Sequence, residues 1–451
     1  MKSPELLLPA GGPERMRTAF DYGADAVYAG SPRYSLRARN NEFAKLDVLS
    51  DGIQEAHRRG KKFFLTCNTL PHNSKLKTFV ADMEPLVAMK PDALIMADPG
   101  LIMVTRERWP EMPIHLSVQA NTTNYWGVKF WQNIGVERII LSRELSMEEI
   151  AEIRQECPDI ELEVFVHGAL CIAYSGRCLL SGYFNHRDPN QGTCTNSCRW
   201  DYKVHDAQID DMGDAKLLEG FDFNKAQEEA NQAFEGINGQ KRHPKADKIF
   251  LLEESNRPGE YMPIMEDEHG TYIMNSKDLR AVEQVAELAK IGVDSLKVEG
   301  RTKSVYYVAR VAQAYRKAID DAVAGRPFDY GLLAELEGLA NRGYTTGFLE
   351  RHQTQEYQNY LEGHSLSKQS QYVGQVSAID ADGWATVDVK NRFAVGDTLE
   401  IIHPQGNQTI VLQAMKRGGE AADVAPGNGI QVQIPGMQGK EKALVARIIN
   451  P

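Results

Sequence analysis

The chain has 451 residues, of which 42% are hydrophobic and 25% are charged, and its formal net charge is −11. This composition is typical of a globular protein with more than one domain, and the negative charge argues against broad non-specific nucleic-acid binding, although a local basic patch can still bind RNA. The most apolar stretch, residues 93–104, is interrupted by Asp98, Pro99 and Gly100. We therefore expect a cytoplasmic protein without a membrane span.

The first 166 residues repeat a short unit, in which an apolar run is followed by a turn and an amphipathic segment. In one such segment Pro13 suits the first helical turn and Gly23 the C-terminal stop, and in another Ser146 and Glu149 form a capping box. Alternating strands and helices with nearly continuous apolar strands indicate a parallel sheet covered on both faces. The predicted strands are residues 6–9, 26–29, 62–67, 93–97, 114–118, 138–141 and 162–166.

An eighth strand is predicted at residues 294–298, before a helix at 305–322. Seven strand–helix units and an eighth strand favour a (β/α)8 TIM-like barrel over an open sheet. Residues 271–274 are an alternative for the eighth strand. We predict an α/β fold in which residues 1–352 form the barrel, with an insertion at 201–262.

The remaining segments differ in composition from the barrel repeat. Polar residues dominate the start of the insertion, which we expect to be mobile or partly helical, with strands at 247–253 and 261–275. Residues 353–371 lack periodicity and are predicted to be a linker. Residues 372–451 are predicted to form a small C-terminal β-barrel domain, for which RNA docking and a structural or dimerisation role both remain open. Its predicted strands are residues 373–379, 385–389, 398–402, 408–415, 430–433 and 443–448.

Polar side chains follow most of the predicted barrel strands, at the point where each strand ends. In TIM barrels these carboxyl-terminal ends meet at one face, which we call the barrel mouth, and active sites lie there. A single polar residue in such a position is commonly a helix cap or part of a solvated loop, but a whole ring of them favours a site. The side chains concerned are Arg33, Arg37, Arg39, Asn68, Asp98, Gln119, Asn121, Ser142, Arg143, Glu144, His167, Glu299 and Arg301.

Four of the six cysteines lie directly after the seventh strand, with the spacing C-x6-C-x15-C-x3-C. Paired disulfides would need an oxidising compartment, which nothing in the sequence indicates. Structural zinc sites usually take their thiolates as C-x2-4-C pairs, whereas an iron–sulfur cluster tolerates looser spacing. We favour an iron–sulfur cluster at the barrel mouth, with zinc as the alternative, and we interpret Cys67 and Cys157 as packing residues. The candidate ligands are Cys171, Cys178, Cys194 and Cys198.

Long motifs throughout the chain resemble the collagenase-like peptidase family of unassigned mechanism. They include P-E-L-L-L-P-A-G-G at 4–12, Y-G-A-D-A-V-Y-A-G at 22–30, R-Y-S-L-R-A-R-N-N-E-F at 33–43, V-H-G-A-L-C-I-A-Y-S-G-R-C at 166–178 and S-L-K-V-E-G-R-T-K-S at 295–304. The resemblance covers nearly the whole chain. It implies a [4Fe-4S] cluster on the same four cysteines, served by a redox partner.

The resemblance also implies an activity. It is the oxygen-independent hydroxylation of the wobble uridine of tRNA to 5-hydroxyuridine, with prephenate as hydroxyl donor or co-substrate; relatives hydroxylate ribosomal RNA or ubiquinone precursors. The sequence contains neither H-E-x-x-H nor G-x-S-x-G, so the peptidase label fits poorly. A peptidase, or a non-catalytic RNA-binding protein with a structural zinc, remains the alternative.

The predicted ring can be divided into roles under this hypothesis. Arginines are natural clamps for the two carboxylates of prephenate, and an anticodon base is already splayed out, so it needs little unstacking. His167 and Glu299 are candidate proton-transfer groups. The predicted substrate-binding residues are Arg37, Arg39, Asn68, Gln119, Asn121, Arg143 and Arg301.

Overall fold

The computed structural model describes residues 1–35, 41–71, 73–169, 173–174, 177–178, 202–209, 215–217, 250–254, 261–267, 270–272, 278–301, 303–339, 341, 343–350, 370–427 and 429–449. The chain divides into two compact units. The first comprises Met1–Gly168, Arg280–Ala340 and Leu366–Pro451, and the second comprises Ala169–Leu279 and Asn341–Ser365. Within the described ranges, no helix combines the length and hydropathy that a membrane crossing needs.

Eight parallel strands form a closed barrel in the first unit. Numbered along the whole chain, they are β1 (Glu5–Pro9), β2 (Ala26–Gly30), β3 (Lys62–Cys67), β4 (Ala93–Met96), β5 (Ile114–Leu116), β6 (Arg138–Ile140), β7 (Glu161–Ala169) and β16 (Ser295–Val298). Each strand pairs with the next, and β16 closes the barrel because Ser295 pairs with both Glu5 and Glu163. The predicted (β/α)8 TIM-like barrel is therefore confirmed, with residues 295–298 as its eighth strand.

Helices connect the strands, and their ends follow from the local sequence. Ser146 and Glu149 form the predicted capping box, and Pro13 is the first residue of its helix. Two short 3-10 helices cover Glu42–Ala44 and Val118–Ala120. In the part of the chain that the structure describes, the α-helices are α1 (Pro13–Asp21), α2 (Leu46–Arg58), α3 (Asn73–Leu76), α4 (Phe79–Ala88), α5 (Pro99–Arg108), α6 (Tyr125–Asn133), α7 (Met147–Glu156), α8 (Val285–Ile291), α9 (Val305–Val323) and α10 (Gly331–Glu337).

Charged side chains occupy part of the barrel interior, where most TIM barrels hold branched aliphatic residues. The Arg138 guanidinium contacts Glu5 (2.6 Å) and Glu163 (3.1 Å), and Lys297 Nζ contacts Glu163 (2.6 Å). Glu5 and Arg138 belong to strands that are not neighbours, so their contact crosses the interior. Burial lowers the pKa of Lys297, while the Glu163 carboxylate opposes that shift. Removing one member would leave a buried charge without its partner, so these residues depend on one another.

The second unit contains mainly antiparallel strands in its described parts. Its strands are β8 (Ala173–Tyr174), β9 (Arg177–Cys178), β10 (Tyr202–Ile209), β11 (Ala215–Leu217), β12 (Phe250–Glu254), β13 (Tyr261–Asp267), β14 (Gly270–Tyr272), β15 (Asp278–Arg280) and β17 (Tyr344–Thr345). Strands β10 to β14 form one sheet in the order β11-β10-β12-β13-β14, β8 pairs with β9, and β15 pairs in parallel with β17.

The sheet of β10 to β14 shows that the expectation for the start of the insertion was wrong, and it excludes the alternative for the eighth barrel strand. Residues 202–209 and 215–217 are strands, whereas the start of the insertion was expected to be mobile or partly helical. The polar composition suggested helix or disorder, but pairing with β12 supplies the backbone hydrogen bonds of β10. Residues 271–272 lie in β14, which is antiparallel to β13, so they are not the eighth barrel strand.

The C-terminal domain belongs to the first unit and is antiparallel. Its strands are β18 (Ser370–Ile379), β19 (Ala385–Val389), β20 (Phe393–Ala394), β21 (Thr398–Ile402), β22 (Gln408–Val411), β23 (Lys416–Arg417), β24 (Glu420–Ala421), β25 (Val424–Ala425), β26 (Gln431–Ile434) and β27 (Leu444–Ile448). The main sheet has the order β22-β21-β27-β18-β19-β26-β23-β24, and β20 pairs with β25. Inward side chains such as Val373, Val387, Phe393 and Val445 share one apolar core. The small C-terminal β domain is therefore confirmed, whereas the predicted domain limits stay predictions. Residues 353–369 of the predicted linker lie outside the described residues, and residues 370 and 371 belong to β18.

Polar contacts join this domain to the barrel helices. The buried Arg310 of α9 donates two hydrogen bonds to the Glu400 carboxylate, at 2.9 and 2.8 Å. The Tyr22 hydroxyl donates to Ile402 O (2.9 Å). Bidentate arginine–carboxylate pairs fix orientation as well as distance, so the domain has a defined position on the barrel.

Candidate active site at the barrel mouth

The described members of the predicted ring lie at the carboxyl-terminal ends of the barrel strands. Asn68 follows β3, Gln119 and Asn121 follow β5, Arg143 follows β6, and Glu299 and Arg301 follow β16. His167 lies within β7, as the third residue from its carboxyl-terminal end. The structure therefore places these side chains at the barrel mouth. The predicted residues Arg37, Arg39, Cys171, Cys194 and Cys198 lie outside the described residues, and Cys178 is described only as a backbone position of β9.

Glu299 is fixed by contacts to its backbone and to its carboxylate. Its N–H donates to His167 O (2.8 Å), and its carbonyl oxygen accepts from the Tyr307 hydroxyl (2.8 Å). The Tyr28 hydroxyl lies 3.2 Å from Glu299 Oε2. Gly168 has a φ of 104°, and a Cβ there would lie 2.5 Å from the main-chain oxygen of Glu299, so only glycine fits beside this stretch of backbone.

Tyr28 connects Glu299 to the charged barrel interior. Its hydroxyl also contacts Val298 O (2.9 Å), and Lys297 Nζ lies 4.4 Å from the centroid of its ring. Lys297 in turn binds Glu163. Sequence reasoning missed Tyr28, Lys297 and Glu163, because polar residues inside strands do not follow strand ends. The alternation S-L-K-V-E at 295–299 could have indicated Lys297, since every second strand residue shares a face.

His167 is a buried, neutral hydrogen-bonding group. It is 1% exposed, and its Nδ1 lies 3.3 Å from the Tyr315 hydroxyl. That hydroxyl donates to Val166 O (2.7 Å), so its oxygen can accept a hydrogen bond from Nδ1–H, which leaves Nε2 as the basic nitrogen. Burial, aided by the charges of Arg280 and Lys303, lowers the pKa of His167 to about 3. The ring is therefore a weak base at neutral pH.

Two arginines at the mouth are held by different contacts. Arg301 Nη1 donates to Ser35 Oγ (2.8 Å), and a Cβ at Gly30 would lie 2.9 Å from the same nitrogen. The Arg143 guanidinium carbon lies 3.9 Å from the centroid of the Phe165 ring, a cation–π contact that orients the group without neutralising its charge. Both cations are therefore positioned by their surroundings before any ligand binds.

Several buried polar atoms at the ends of β3 and β5 have no hydrogen-bond partner among the described residues. They are Thr66 Oγ1, Asn68 Oδ1, Thr69 Oγ1 and Gln119 Oε1. Each such atom costs about 1–3 kcal/mol unless water or a ligand supplies the missing bond. Asn68 and Gln119 present amide oxygens, which accept hydrogen bonds. This side of the mouth is therefore suited to a ligand with N–H or O–H donors.

Other members of the predicted ring have structural roles. Asp98 Oδ1 accepts from Leu101 N (2.9 Å) and caps α5, and Arg33 forms an ion pair with Asp82 (2.9 Å). Asn121 has a φ of 53° and donates from Nδ2 to Gln119 O (3.2 Å), so it shapes the turn that carries Gln119. Ser142 Oγ bonds the carboxylate of Glu144. Cys67 and Cys157 are buried free thiols, as predicted for packing residues.

A closed parallel barrel with polar side chains collected at one end defines a TIM-barrel protein with a site at its mouth. Two family models match this chain: "Peptidase family U32" over residues 11–359 and "Peptidase family U32 C-terminal domain" over residues 368–447. The chain therefore belongs to peptidase family U32, and the resemblance drawn from its motifs is confirmed.

The relatives include three proteins with RNA modification in their names. "tRNA hydroxylation protein P" of Escherichia coli (strain K12) is 59% identical over 442 residues, which cover 96% of this chain and 94% of the relative. The protein of the same name from Haemophilus influenzae is 58% identical and covers 94% of this chain and 92% of the relative. "23S rRNA 5-hydroxycytidine C2501 synthase" of Escherichia coli (strain K12) is 29% identical, covering 71% of this chain and 40% of the relative.

Proposed function

We propose that this protein is an RNA-modifying enzyme that hydroxylates tRNA. The observation that carries the proposal is the 59% identity to a protein named for tRNA hydroxylation, over nearly the full length of both chains. We further propose that the product is 5-hydroxyuridine at the wobble position, formed without molecular oxygen and with prephenate as co-substrate. A tRNA substrate also favours a cytoplasmic location.

A [4Fe-4S] cluster is the proposed cofactor. Its ligands would be Cys171, Cys178, Cys194 and Cys198, since four thiolates are the usual donor set of such clusters. Cys171 follows the end of β7 by two residues, and this continuity supports a cluster near the barrel mouth. A bound cluster would supply redox or Lewis-acid chemistry to the hydroxyl donor, and a redox partner would serve it.

The arginines of the mouth suit a dicarboxylate such as prephenate. Arg301 is held by Ser35, and Arg143 stacks on Phe165, so each presents a fixed cation. Forked guanidinium donors bind carboxylates in two parallel hydrogen bonds. Arg37 and Arg39 lie in the segment after β2 and are proposed to complete the clamp.

The amide oxygens of the mouth suit a pyrimidine base. Uracil has an N3–H donor on its Watson–Crick edge, and the oxygens of Asn68 and Gln119 are buried acceptors without a partner among the described residues. Asn121 supports Gln119 in this role. Because anticodon bases are unpaired in free tRNA, bringing one to the mouth requires little unstacking.

Glu299 is the stronger candidate for proton transfer. Its carboxylate lies at the mouth beside the Tyr28 hydroxyl, and its main chain is held by the Tyr307 hydroxyl and by close packing against Gly168. His167, with a pKa lowered to about 3, would act mainly as a neutral hydrogen-bonding group beside it. A general acid or base contributes about 10²–10⁴-fold to rate, so Glu299→Gln would lose activity on that scale.

Reconstitution with pure components tests the proposal. Anaerobically purified full-length protein would be incubated with unmodified tRNA, prephenate and a soluble redox mediator in place of the redox partner. The nucleosides would be quantified by mass spectrometry. We expect 5-hydroxyuridine to form, and to be absent when prephenate is omitted. Product formed without prephenate would contradict the proposal that prephenate is the co-substrate. Hydroxylation of ribosomal RNA in place of tRNA would contradict the proposal that tRNA is the substrate.

A further inference from the structure

Two large aromatic side chains are exposed on the same helix of the barrel. Trp126 and Phe130 of α6 are 69% and 56% exposed. Tryptophan is normally well buried, because it removes a large apolar area from water. Such exposure is typical of side chains that meet a partner.

Trp126 lies at the rim of the barrel mouth. Helix α6 begins at Tyr125, directly after the turn that carries Gln119 and Asn121, with Asn124 as its cap. A helix that follows a barrel strand starts at the mouth and runs away from it. Trp126 is in the first turn, and Phe130 lies about 6 Å further from the mouth at 1.5 Å per residue.

The surroundings of Trp126 suit nucleic acid. The rings of Tyr125 and Trp126 have centroids 5.7 Å apart, and Lys129 Nζ lies 5.0 and 5.1 Å from those two centroids. Lys129 also pairs with Glu156 (2.7 Å), which keeps its ammonium group beside the rings. Proteins that bind single-stranded RNA combine aromatic rings, on which bases stack, with cations near the backbone.

Trp126 lies on the side of the barrel mouth that carries the buried hydrogen-bond acceptors. The buried acceptors Asn68 and Gln119 lie on the side formed by β3 and β5, and Trp126 belongs to the segment that follows β5. We propose that Trp126 is a stacking platform for a nucleobase next to the one that enters the mouth, in a single-stranded loop of RNA. This inference rests on the proposed function and adds the direction from which the RNA approaches.

The binding of an unmodified anticodon stem-loop RNA to the full-length protein tests the platform. Trp126→Ala should raise the Kd by about tenfold, since the stacking of one base on an aromatic ring contributes to affinity on that scale. Trp126→Phe should keep most of the affinity. Phe130→Ala is the matched control, because it removes another exposed aromatic ring one turn further from the mouth, and its Kd should equal that of the wild type.

Two results would overturn the platform while leaving the proposed function intact. One is wild-type affinity in Trp126→Ala. The other is an equal effect of Trp126→Ala and Phe130→Ala together with a change in oligomeric mass, which would make this face a contact between copies of the chain. If wild-type protein neither binds the RNA nor forms 5-hydroxyuridine, the proposed function fails and the platform fails with it.

Discussion

At the scale of single residues, the position of Glu299 depends on Tyr28. The tyrosine hydroxyl lies 3.2 Å from Glu299 Oε2 and 2.9 Å from Val298 O. The single hydroxyl proton is shared between these two acceptors, of which the Val298 carbonyl is the nearer, so the hydroxyl holds the backbone before Glu299 as well as approaching its carboxylate. Under the proposed function, Tyr28 would be a positioning residue that acts through Glu299.

The substitution Tyr28→Phe tests this dependence. We expect kcat to fall by about tenfold or more, with the KM for tRNA unchanged, because the hydroxyl orients the carboxylate and does not bind RNA. Tyr22→Phe is the control, since it also removes a buried hydroxyl that contacts a main-chain carbonyl, at Ile402 and far from Glu299 along the chain. Equal kinetics for the two variants would refute the positioning role.

The sequence predicted correctly which polar residues lie at strand ends, while the functions assigned to them stay predictions. Asn68, Gln119, Arg143 and Arg301 lie at the mouth because parallel strands bring their carboxyl ends together. The same reasoning overestimated Asp98, whose side chain caps a helix. Which polar atoms lack partners depends on packing across several strands, and one strand's sequence does not encode it.

At the scale of elements, the barrel strands are joined by buried charges. Glu163 of β7 contacts Arg138 of β6 (3.1 Å) and Lys297 of β16 (2.6 Å). These ion pairs link neighbouring strands on the inside of the barrel, at the pairing that closes it. The sequence predicted the strands closely because their apolar runs are nearly continuous, but it did not predict which charged residues pair inside.

Glu163→Gln should destabilise the fold by about 3–5 kcal/mol, because it leaves Lys297 buried without its carboxylate partner. The double variant Glu163→Gln/Lys297→Met should recover part of that loss. Urea denaturation would measure both. Glu161→Gln is the matched control, since Glu161 also contacts Arg138 but its side chain is 45% exposed, so its loss should be under about 1 kcal/mol. Similar losses at positions 161 and 163 would contradict the role of burial.

At the scale of the whole molecule, the first unit combines a catalytic scaffold and a fixed β domain. The Arg310–Glu400 pair and the Tyr22–Ile402 contact hold that domain on α1 and α9. The change from strand–helix repeats to short alternating strands near residue 372 predicted two domains. It did not predict these contacts, because they join residues far apart in sequence whose complementarity exists only in the folded chain.

We propose that this chain hydroxylates tRNA through a site that needs the cysteine cluster. The most direct measurement is the nucleoside content of tRNA from an anaerobically grown deletion strain, quantified by mass spectrometry, after complementation with defined variants. We predict that 5-hydroxyuridine and its derivatives disappear on deletion and return with the wild type. They should also return with Cys157→Ala, a buried thiol outside the cluster, but not with Cys171→Ala. Unchanged nucleosides in the deletion strain, or full restoration by Cys171→Ala, would contradict the claim.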